Sequence, residues 1–322
     1  LGAMQTHGSI SLVPTTLVFP TKAHRLEEFG ATTCAEGSVR GCSRATAQSA
    51  SGSGGNVQHR RAATCKHSTG AGPVGNVWQT QTQTPQKLQL RALCTPSREH
   101  ELAVIVQDGI RCMFEEKQNC FYYLTTMNEN YVQPALPEGA EEGIIKGMYK
   151  LADAGSAKHK VTLMGAGTIL NEVRAAAEIL SEKFAVEANI WSLTSVNELV
   201  REGQAVDRWN LLHPAEKPKQ SYIAEQLGDS SEPVVVATDY MKGYGEQMRA
   251  YIKQPMHVLG TDGFGRSDSR AALRHFFEVD RYFVVVTALK ALADQGAIKP
   301  AVVTKAIKEF GIDPEKSNPL YL

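Results

Sequence analysis

The chain has 322 residues, of which 42% are hydrophobic and 21% are charged, and its formal net charge at pH 7 is +0. This length allows two domains, and the composition is that of an ordinary globular protein. Zero net charge gives no reason to expect nucleic acid as a partner. No run of about 18 apolar residues occurs, so neither a transmembrane helix nor a membrane partner is predicted. The first residue is Leu1 rather than methionine, which is typical of a fragment.

A long stretch of the N-terminal region contains no acidic residue. Asp and Glu are absent between Ser38 and Arg98, where Ser, Gly, Thr, Gln and Ala are abundant. Because no helical or strand periodicity persists, residues 1–98 are predicted to be disordered or mistranslated, without a packed core. A targeting segment, a native disordered linker and a translation in the wrong reading frame all fit this composition. We favour the third, because an ordinary globular pattern begins abruptly at Glu99.

The next segment, residues 99–134, is predicted to be the end of one domain. Apolar residues at helical spacing predict an amphipathic helix over residues 101–117. An aromatic and β-branched run predicts a strand over residues 121–126, followed by a polar exit. Prolines and a glycine then break the pattern, which predicts a linker over residues 135–154.

Regular alternation of strands and helices predicts an α/β fold, a three-layer sandwich, over residues 155–322. Such alternation requires mostly parallel strands joined by crossover helices. The predicted strands are residues 161–164, 189–193, 234–238 and 257–260, and the predicted helices are 169–184, one that opens with Ser195 and Glu198, 240–251, 269–277, 280–294 and 301–310.

In a sheet of this kind, ligands bind beyond the carboxyl ends of the strands. The loop from Thr261 to Arg270 follows the last predicted strand and contains Asp262, Phe264 and Arg266. Its glycines allow a sharp bend, and Arg266 is suited to bind a carboxylate or a phosphate. The alternative is ordinary capping of the next helix, and the residue types alone do not decide between the two.

Two other strand exits carry residues that could form a site. Asn128, Glu129 and Asn130 follow the strand at 121–126, where they are suited either to orient a polar ligand or to form a turn. Gly165 and Gly167 lack the third glycine and the acidic residue of a dinucleotide fingerprint, so a tight turn is predicted there. No catalytic motif is complete, and the residues by themselves predict only a ligand-binding α/β domain.

Several longer runs of the chain resemble a known family. These runs are residues 122–131, 134–143, 208–214 and, most specifically, 259–270. They look like the homodimeric pyruvate dehydrogenase decarboxylase, an enzyme that depends on thiamine diphosphate, and the resemblance extends from about Glu101 to Leu322. Residues 99–134 then correspond to a remnant of the pyrimidine-binding domain, and residues 155–322 to a transketolase C-terminal-like domain.

The resemblance also implies what this chain lacks. The family binds thiamine diphosphate and magnesium through a G-D-G…N motif, which does not occur among the 322 positions. A stretch with a glutamate and a histidine near the cofactor is expected just upstream, where this chain has its acid-free sequence. The chain alone is therefore expected to contain no cofactor-binding residues and no metal ligands, and to be inactive.

The activity implied by the resemblance is oxidative decarboxylation of pyruvate, with acetyl transfer to the lipoyl group of a partner acyltransferase. A homodimer in the bacterial cytoplasm is expected, with an organelle as the alternative location. The resemblance assigns no catalytic residue here, but it makes Asn128, Glu129, Asn130, Asp262, Phe264 and Arg266 candidates for the lining of the substrate channel. A stand-alone dimerisation or docking module without catalysis is the alternative function.

Overall fold

The structure is a computed structural model that describes residues 15–18 and 89–322. Its N-terminal portion is a small sheet with one helix, in which β3 lies in the centre, antiparallel to β1 and parallel to β2. The elements are β1 (Thr15–Val18), β2 (Gln89–Cys94), α1 (Glu99–Ile110) with a π-helical turn (Arg111–Glu115), and β3 (Cys120–Thr126).

The prediction that residues 1–98 lack a packed core is wrong for residues 89–98, and residues 15–18 form a strand. Both stretches contain strands that pair with β3, and Ala92 and Cys94 of β2 are buried. The composition does not predict β2, because the strand is short and has few large apolar residues. Its pairing with β3 supplies the backbone hydrogen bonds that order it. Residues 1–14 and 19–88, on which the rest of that prediction falls, lie outside the described residues.

The predicted helix over 101–117 is confirmed in its first part. It begins at Glu99, and after Ile110 it widens into the π-helical turn instead of continuing as an α-helix. Its buried face carries Ile105, which packs in one cluster with Leu124 of β3. Asp108 on the same face accepts a hydrogen bond of 2.5 Å from the hydroxyl of Tyr122. Helix and strand therefore form a packed unit of their own.

The rest of the chain is a three-layer α/β sandwich, as predicted. Its five-stranded sheet has the order β4-β6-β5-β7-β8, with all neighbours parallel except the edge pair of β4 and β6. The elements are α2 (Glu141–Lys146), β4 (Met148–Ala152), β5 (His159–Ala166), α3 (Ile169–Phe184), β6 (Val186–Leu193), α4 (Val196–Leu212), α5 (Tyr222–Leu227), β7 (Val234–Ala237), α6 (Lys242–Glu246), β8 (Met256–Leu259), α7 (Arg270–Phe276), α8 (Arg281–Asp294) and α9 (Pro300–Glu309).

Helices cover both faces of this sheet. On one face, α3, α8 and α9 pack through residues such as Val173 and Leu289. On the other face, α4, α5 and α6 pack through residues such as Leu199, Ile223 and Tyr244. The strands between them are apolar on both sides, which is the pattern of a sheet buried in the middle of a sandwich. Within the residues that the structure describes, no helix has both the length and the apolar character needed to cross a membrane.

Two of the predicted segments differ from the structure. The predicted linker over 135–154 contains α2 and the edge strand β4, which are too short to show a clear periodicity in sequence. The predicted helix over 240–251 is broken into α6 and a 3-10 turn at Arg249–Tyr251. Gly245 lies in α6, just before this break, and a Cβ atom on it would be 2.8 Å from Val258 Cγ1, so the close approach to β8 requires glycine.

Candidate functional site

A cavity of about 430 Å³ lies beyond the carboxyl ends of β5, β7 and β8, where the fold predicts a ligand site. The first sheet completes its wall, because the exits of β2 and β3 also border it. The polar lining includes Thr95, Thr125, Thr168, Asp239, Thr261, Arg266, Ser267, Arg270 and Arg274, and the apolar lining includes Met127, Ile169, Leu273, Phe277 and Val279. The lining of the cavity is therefore mixed, with polar and apolar side chains contributed by the same elements.

The structure separates the three candidates of the loop after β8. Arg266 lines the cavity, and its guanidinium lies 4.7 Å from the centre of the Phe276 ring. Asp262 does not line it: its Oδ1 accepts a hydrogen bond of 3.0 Å from the backbone N–H of Lys242, at the start of α6. The side chain of Phe264 is 80% exposed. The carboxylate of Asp262 thus caps a neighbouring helix, and a role for Asp262 in a substrate channel stays a prediction.

Capping also accounts for the end of this loop. The hydroxyl of Ser269 accepts a hydrogen bond of 3.3 Å from the backbone N–H of Ala272 and so caps α7. Within this loop, Arg266 therefore lines the cavity, whereas Asp262 and Ser269 cap helices.

The polar exit of β3 is held by two arginines of α7. Asn128 Oδ1 accepts a hydrogen bond of 2.7 Å from Arg270, whose guanidinium also donates to the Asn128 carbonyl. Glu129 forms an ion pair with Arg274. Asn130 is exposed. Two of the three residues named from the sequence therefore border the cavity wall through arginine partners, and a direct role in a channel stays a prediction.

Behind this wall is an ion-pair network that sequence reasoning missed. Glu172 of α3 accepts from Arg274 at 3.1 Å and from Arg281 Nε at 2.9 Å. Burial alone would raise the pKa of Glu172, but the hydrogen bonds and charges of Arg281 and Arg274 outweigh it and hold that pKa below its usual value. These partners are 102 and 109 residues apart in sequence, so no local pattern could have revealed the network.

Asp239 is the carboxylate that faces the cavity itself. It follows β7, and a Cβ atom on Gly167 would lie 3.7 Å from its Oδ1. The Thr261 hydroxyl donates to the Asp239 carbonyl at 2.6 Å, which fixes the backbone there. Burial raises the pKa of Asp239 to about 6, against the smaller opposing effects of its own backbone amide and of Arg274. Nothing in the sequence distinguishes Asp239 from other acidic residues that follow a strand.

We expect Asp239→Asn to stabilise the fold at neutral pH. Because the pKa of Asp239 is raised on folding from its usual value to about 6, folding takes up a proton, and stability falls as the pH rises from about 4 to about 6. The variant removes this loss, so the difference in unfolding free energy should be near zero at pH 4 and about 1–2 kcal/mol in its favour at pH 7.5.

Thermal unfolding of the two proteins at both pH values measures this difference. Asp229→Asn is the control, because Asp229 is exposed and its pKa is lowered by Lys253. That substitution should give no gain at pH 7.5. A stability difference for Asp239→Asn that does not change between the two pH values would show that the carboxylate ionises freely in the folded state.

The described residues do not offer a metal site. Among them, no three side chains of His, Cys, Asp or Glu come close enough to share a metal ion. The charged groups of the cavity are one aspartate and several arginines, and arginine cannot be a metal ligand. This donor set suits an anion instead.

Two family models match the chain. The model described as "Pyruvate dehydrogenase E1 component middle domain" matches residues 78–134, and the model described as "Transketolase-like TK C-terminal domain" matches residues 147–280. The first match begins before residue 99, so the domain boundary predicted there falls too late.

Curated relatives agree with these matches. The pyruvate dehydrogenase E1 component of Pseudomonas aeruginosa is 60% identical over 227 residues, which are 70% of this chain and 26% of the relative. The C-terminal part of this chain therefore matches the pyruvate dehydrogenase E1 family. The E1 component of Escherichia coli is 54% identical over 226 residues, which are 70% of this chain and 25% of that relative. The chain thus spans about a quarter of the length of the E1 components it matches.

Among solved structures, the transketolase from Leishmania mexicana matches with a TM-score of 0.40 and 17% sequence identity, over 63% of this chain and 25% of that one.

Thiamine diphosphate with magnesium, which the E1 family implies, needs oxygen ligands around the metal. The arginine-rich cavity and the lack of any converging ligand set in the described residues do not fit that group. No chemical step is therefore assigned to it.

Proposed function

We propose that this chain is part of a pyruvate dehydrogenase decarboxylase, which oxidatively decarboxylates pyruvate and transfers the acetyl group to the lipoyl group of an acyltransferase. The observation that carries the proposal is the 60% identity to a protein named pyruvate dehydrogenase E1 component over 70% of this chain. Thiamine diphosphate and magnesium would be bound by parts of a homodimeric enzyme that the described residues do not include, so the chain alone is inactive.

In this proposal the cavity forms one wall of the substrate channel. Arg266 at its rim has no carboxylate within ion-pair distance among the described residues, so it is free to meet a substrate charge. Asn128 and Glu129 contribute indirectly, by fixing Arg270 and Arg274. Phe264 and Asn130, which are exposed, would contact other parts of the enzyme.

A second candidate function is dimerisation or docking without catalysis. Phe264 and Tyr321 are 80% and 81% exposed, and the loop after β8 packs on the C-terminal turn, since a Cβ on Gly263 would lie 2.4 Å from the Pro319 carbonyl. Exposed aromatic side chains on two such segments are typical of protein interfaces. Light scattering of the purified chain, which reports its mass in solution, separates a stable dimer from a monomer.

A chimeric enzyme tests the first proposal. The C-terminal segment of the E1 component of Pseudomonas aeruginosa would be replaced by residues 95–322 of this chain. We expect the purified chimera to decarboxylate pyruvate and to acetylate a lipoyl acceptor at a measurable fraction of the parent rate, because 60% identity preserves the packing of the segment. A folded chimera without turnover would contradict the proposal.

Arg266→Ala in the same chimera tests the channel. We expect acetylation of the lipoyl acceptor to fall about tenfold or more, with little change in melting temperature, because Arg266 is exposed at the rim. Arg249→Ala is the matched control, because Arg249 lies in the 3-10 turn before β8 and does not line the cavity. A lower melting temperature with unchanged kinetics would assign Arg266 to stability alone.

A further inference from the structure

Residues 208–219, at the end of α4 and in the loop after it, form a small surface knob that has no role in the channel. We propose that this knob is a docking surface for an acidic protein partner, and that the lipoyl acyltransferase is this partner. The identity of the partner rests on the function proposed above, whereas the surface follows from the residues of the knob. The run 208–214 is also one of the four runs that resemble the family.

Ring stacking and a side-chain clamp hold the knob in one conformation. The Trp209 ring stacks on the His213 ring with 4.4 Å between the ring centres, and the Lys219 ammonium lies 3.9 Å from the centre of the Trp209 ring. The Asn210 amide donates to the Lys219 carbonyl at 3.0 Å and accepts from the Lys219 backbone N–H at 2.8 Å. The end of the helix is thereby tied to the following loop, so the surface is ordered before a partner binds.

Two large apolar side chains are exposed on this ordered surface. Leu211 is 77% exposed and the adjacent Leu212 is 55% exposed. Apolar residues scattered singly over a surface are common, whereas neighbouring ones rimmed by polar residues mark an interaction site. A partner that covers these leucines would remove apolar surface from water, which favours association.

The charge of the knob indicates the class of partner. Arg208, Lys217 and Lys219 carry three positive charges. Glu216 carries the only negative charge within residues 208–219, so the formal net charge of the knob is +2. Among the described residues, none of these four side chains takes part in an ion pair. An acidic surface with an apolar centre therefore complements the knob.

A second copy of the knob is a poor partner by the same reasoning. In a symmetric dimer the same surface patch of each copy faces the other. Two surfaces of like charge would then meet, and like charges oppose association. Asp207, which precedes the knob, is engaged with the Tyr251 hydroxyl instead of with one of the three cations. The positive charge of the knob thus stays available for a different protein.

The position of the knob in the fold leaves the cavity open. Helix α4 has 17 residues and begins just beyond the carboxyl end of β6. At a rise of about 1.5 Å per residue, the knob lies roughly 25 Å along the helix from the sheet edge that carries the cavity. A protein docked on the knob would therefore not block the cavity. Changes to the knob should affect recognition of a protein-bound lipoyl group and not the use of a small acceptor.

Direct binding tests the surface without any turnover. The probe is the purified lipoyl acyltransferase of Pseudomonas aeruginosa, titrated by calorimetry into the full-length chain. We expect saturable binding, weakened about tenfold by Leu211→Ser through the loss of apolar burial and several-fold by Lys217→Glu. The effect of Lys217→Glu should shrink as salt is raised. Lys305→Glu is the matched control and should bind as the unmodified chain does, because Lys305 is exposed on α9, which packs on the opposite face of the sheet.

The same substitutions in the chimeric enzyme connect the surface to the reaction. We expect the two knob variants to raise the KM for the acyltransferase and to leave pyruvate turnover with ferricyanide, a small electron acceptor, unchanged. A chimera inactive with both acceptors would contradict the proposed function, whereas the binding results would still decide the docking surface.

Three results would overturn the docking surface. The first is absence of binding, or equal binding by the unmodified chain and by knob variants with unchanged circular dichroism spectra. The second is a dimer of the chain, detected by light scattering, that Leu211→Ser dissociates, because the partner would then be a second copy. The third is a chimera in which the knob variants lower the melting temperature and reduce turnover equally with both acceptors. That result would assign the knob to a contact within the enzyme.

Discussion

The purified chain is expected to release no carbon dioxide from pyruvate above background, with thiamine diphosphate and magnesium present or absent. The G-D-G…N motif that holds the metal and the diphosphate in this family does not occur in its sequence. A diphosphate needs its metal and the ligands of that metal to be bound tightly. Because the cofactor carries the chemistry and its positioning carries much of the rate, the loss should amount to many orders of magnitude.

Two measurements check this expectation. Calorimetry with thiamine diphosphate and magnesium reports binding, and release of labelled carbon dioxide from pyruvate reports turnover. The full-length E1 component of Pseudomonas aeruginosa, under identical conditions, is the positive control. Micromolar cofactor binding or measurable turnover by this chain would mean that the cofactor site includes residues which the family resemblance did not assign to it.

The second large effect is expected at Glu101, where Glu101→Ala should lower the free energy of unfolding by about 3 kcal/mol or more. The side chain is fully buried. Its carboxylate accepts hydrogen bonds from the Ser97 backbone at 2.5 Å, from the Tyr149 hydroxyl at 2.8 Å and from the Ser192 hydroxyl at 2.7 Å. Alanine would leave these buried donors without an acceptor and would also open a cavity.

Thermal and urea unfolding measure this loss, which should appear as a fall of roughly 10 °C in the melting temperature for a folded region of this size. Glu99→Ala is the matched control, because Glu99 lies in the same first turn of α1 but is exposed. It should change stability little. Equal effects of the two substitutions would mean that the burial of Glu101 contributes nothing.

The sequence predicted those elements whose apolar pattern extends over many consecutive residues. Helix α3 has the predicted bounds, because its apolar stripe persists over several turns. The cap of α4 is also confirmed, since the Ser195 hydroxyl accepts from the Glu198 backbone N–H at 3.2 Å. The family resemblance is likewise confirmed by the matched relatives.

Elements that depend on distant partners were missed. Strand β2 is ordered by β3, and β4 is ordered by β6, from which it is separated by two other elements along the chain. Each is so short that its own pattern cannot be distinguished from a loop.

For the candidate site, the sequence predicted the position of the cavity but not the contacts of its side chains. The sheet topology located the cavity, because the carboxyl ends of parallel strands meet at one edge. It did not show that Asp262 turns toward Lys242 instead of the cavity, or that Glu172 binds Arg281. Such choices depend on which side chains from other elements come within hydrogen-bond distance, and this information is present only in the folded structure.

Thr95, at the exit of β2, limits how the two sheets of this chain can move apart. Its backbone N–H donates to the Thr194 carbonyl at 2.8 Å, and its own carbonyl accepts from the Gly167 N–H at 3.3 Å. One residue of the first sheet is thereby bonded to the exits of both β6 and β5. A hinge motion at residues 135–146, between the two family matches, would therefore have to break these two hydrogen bonds. The loop after β8, which carries Arg266, could move without breaking them.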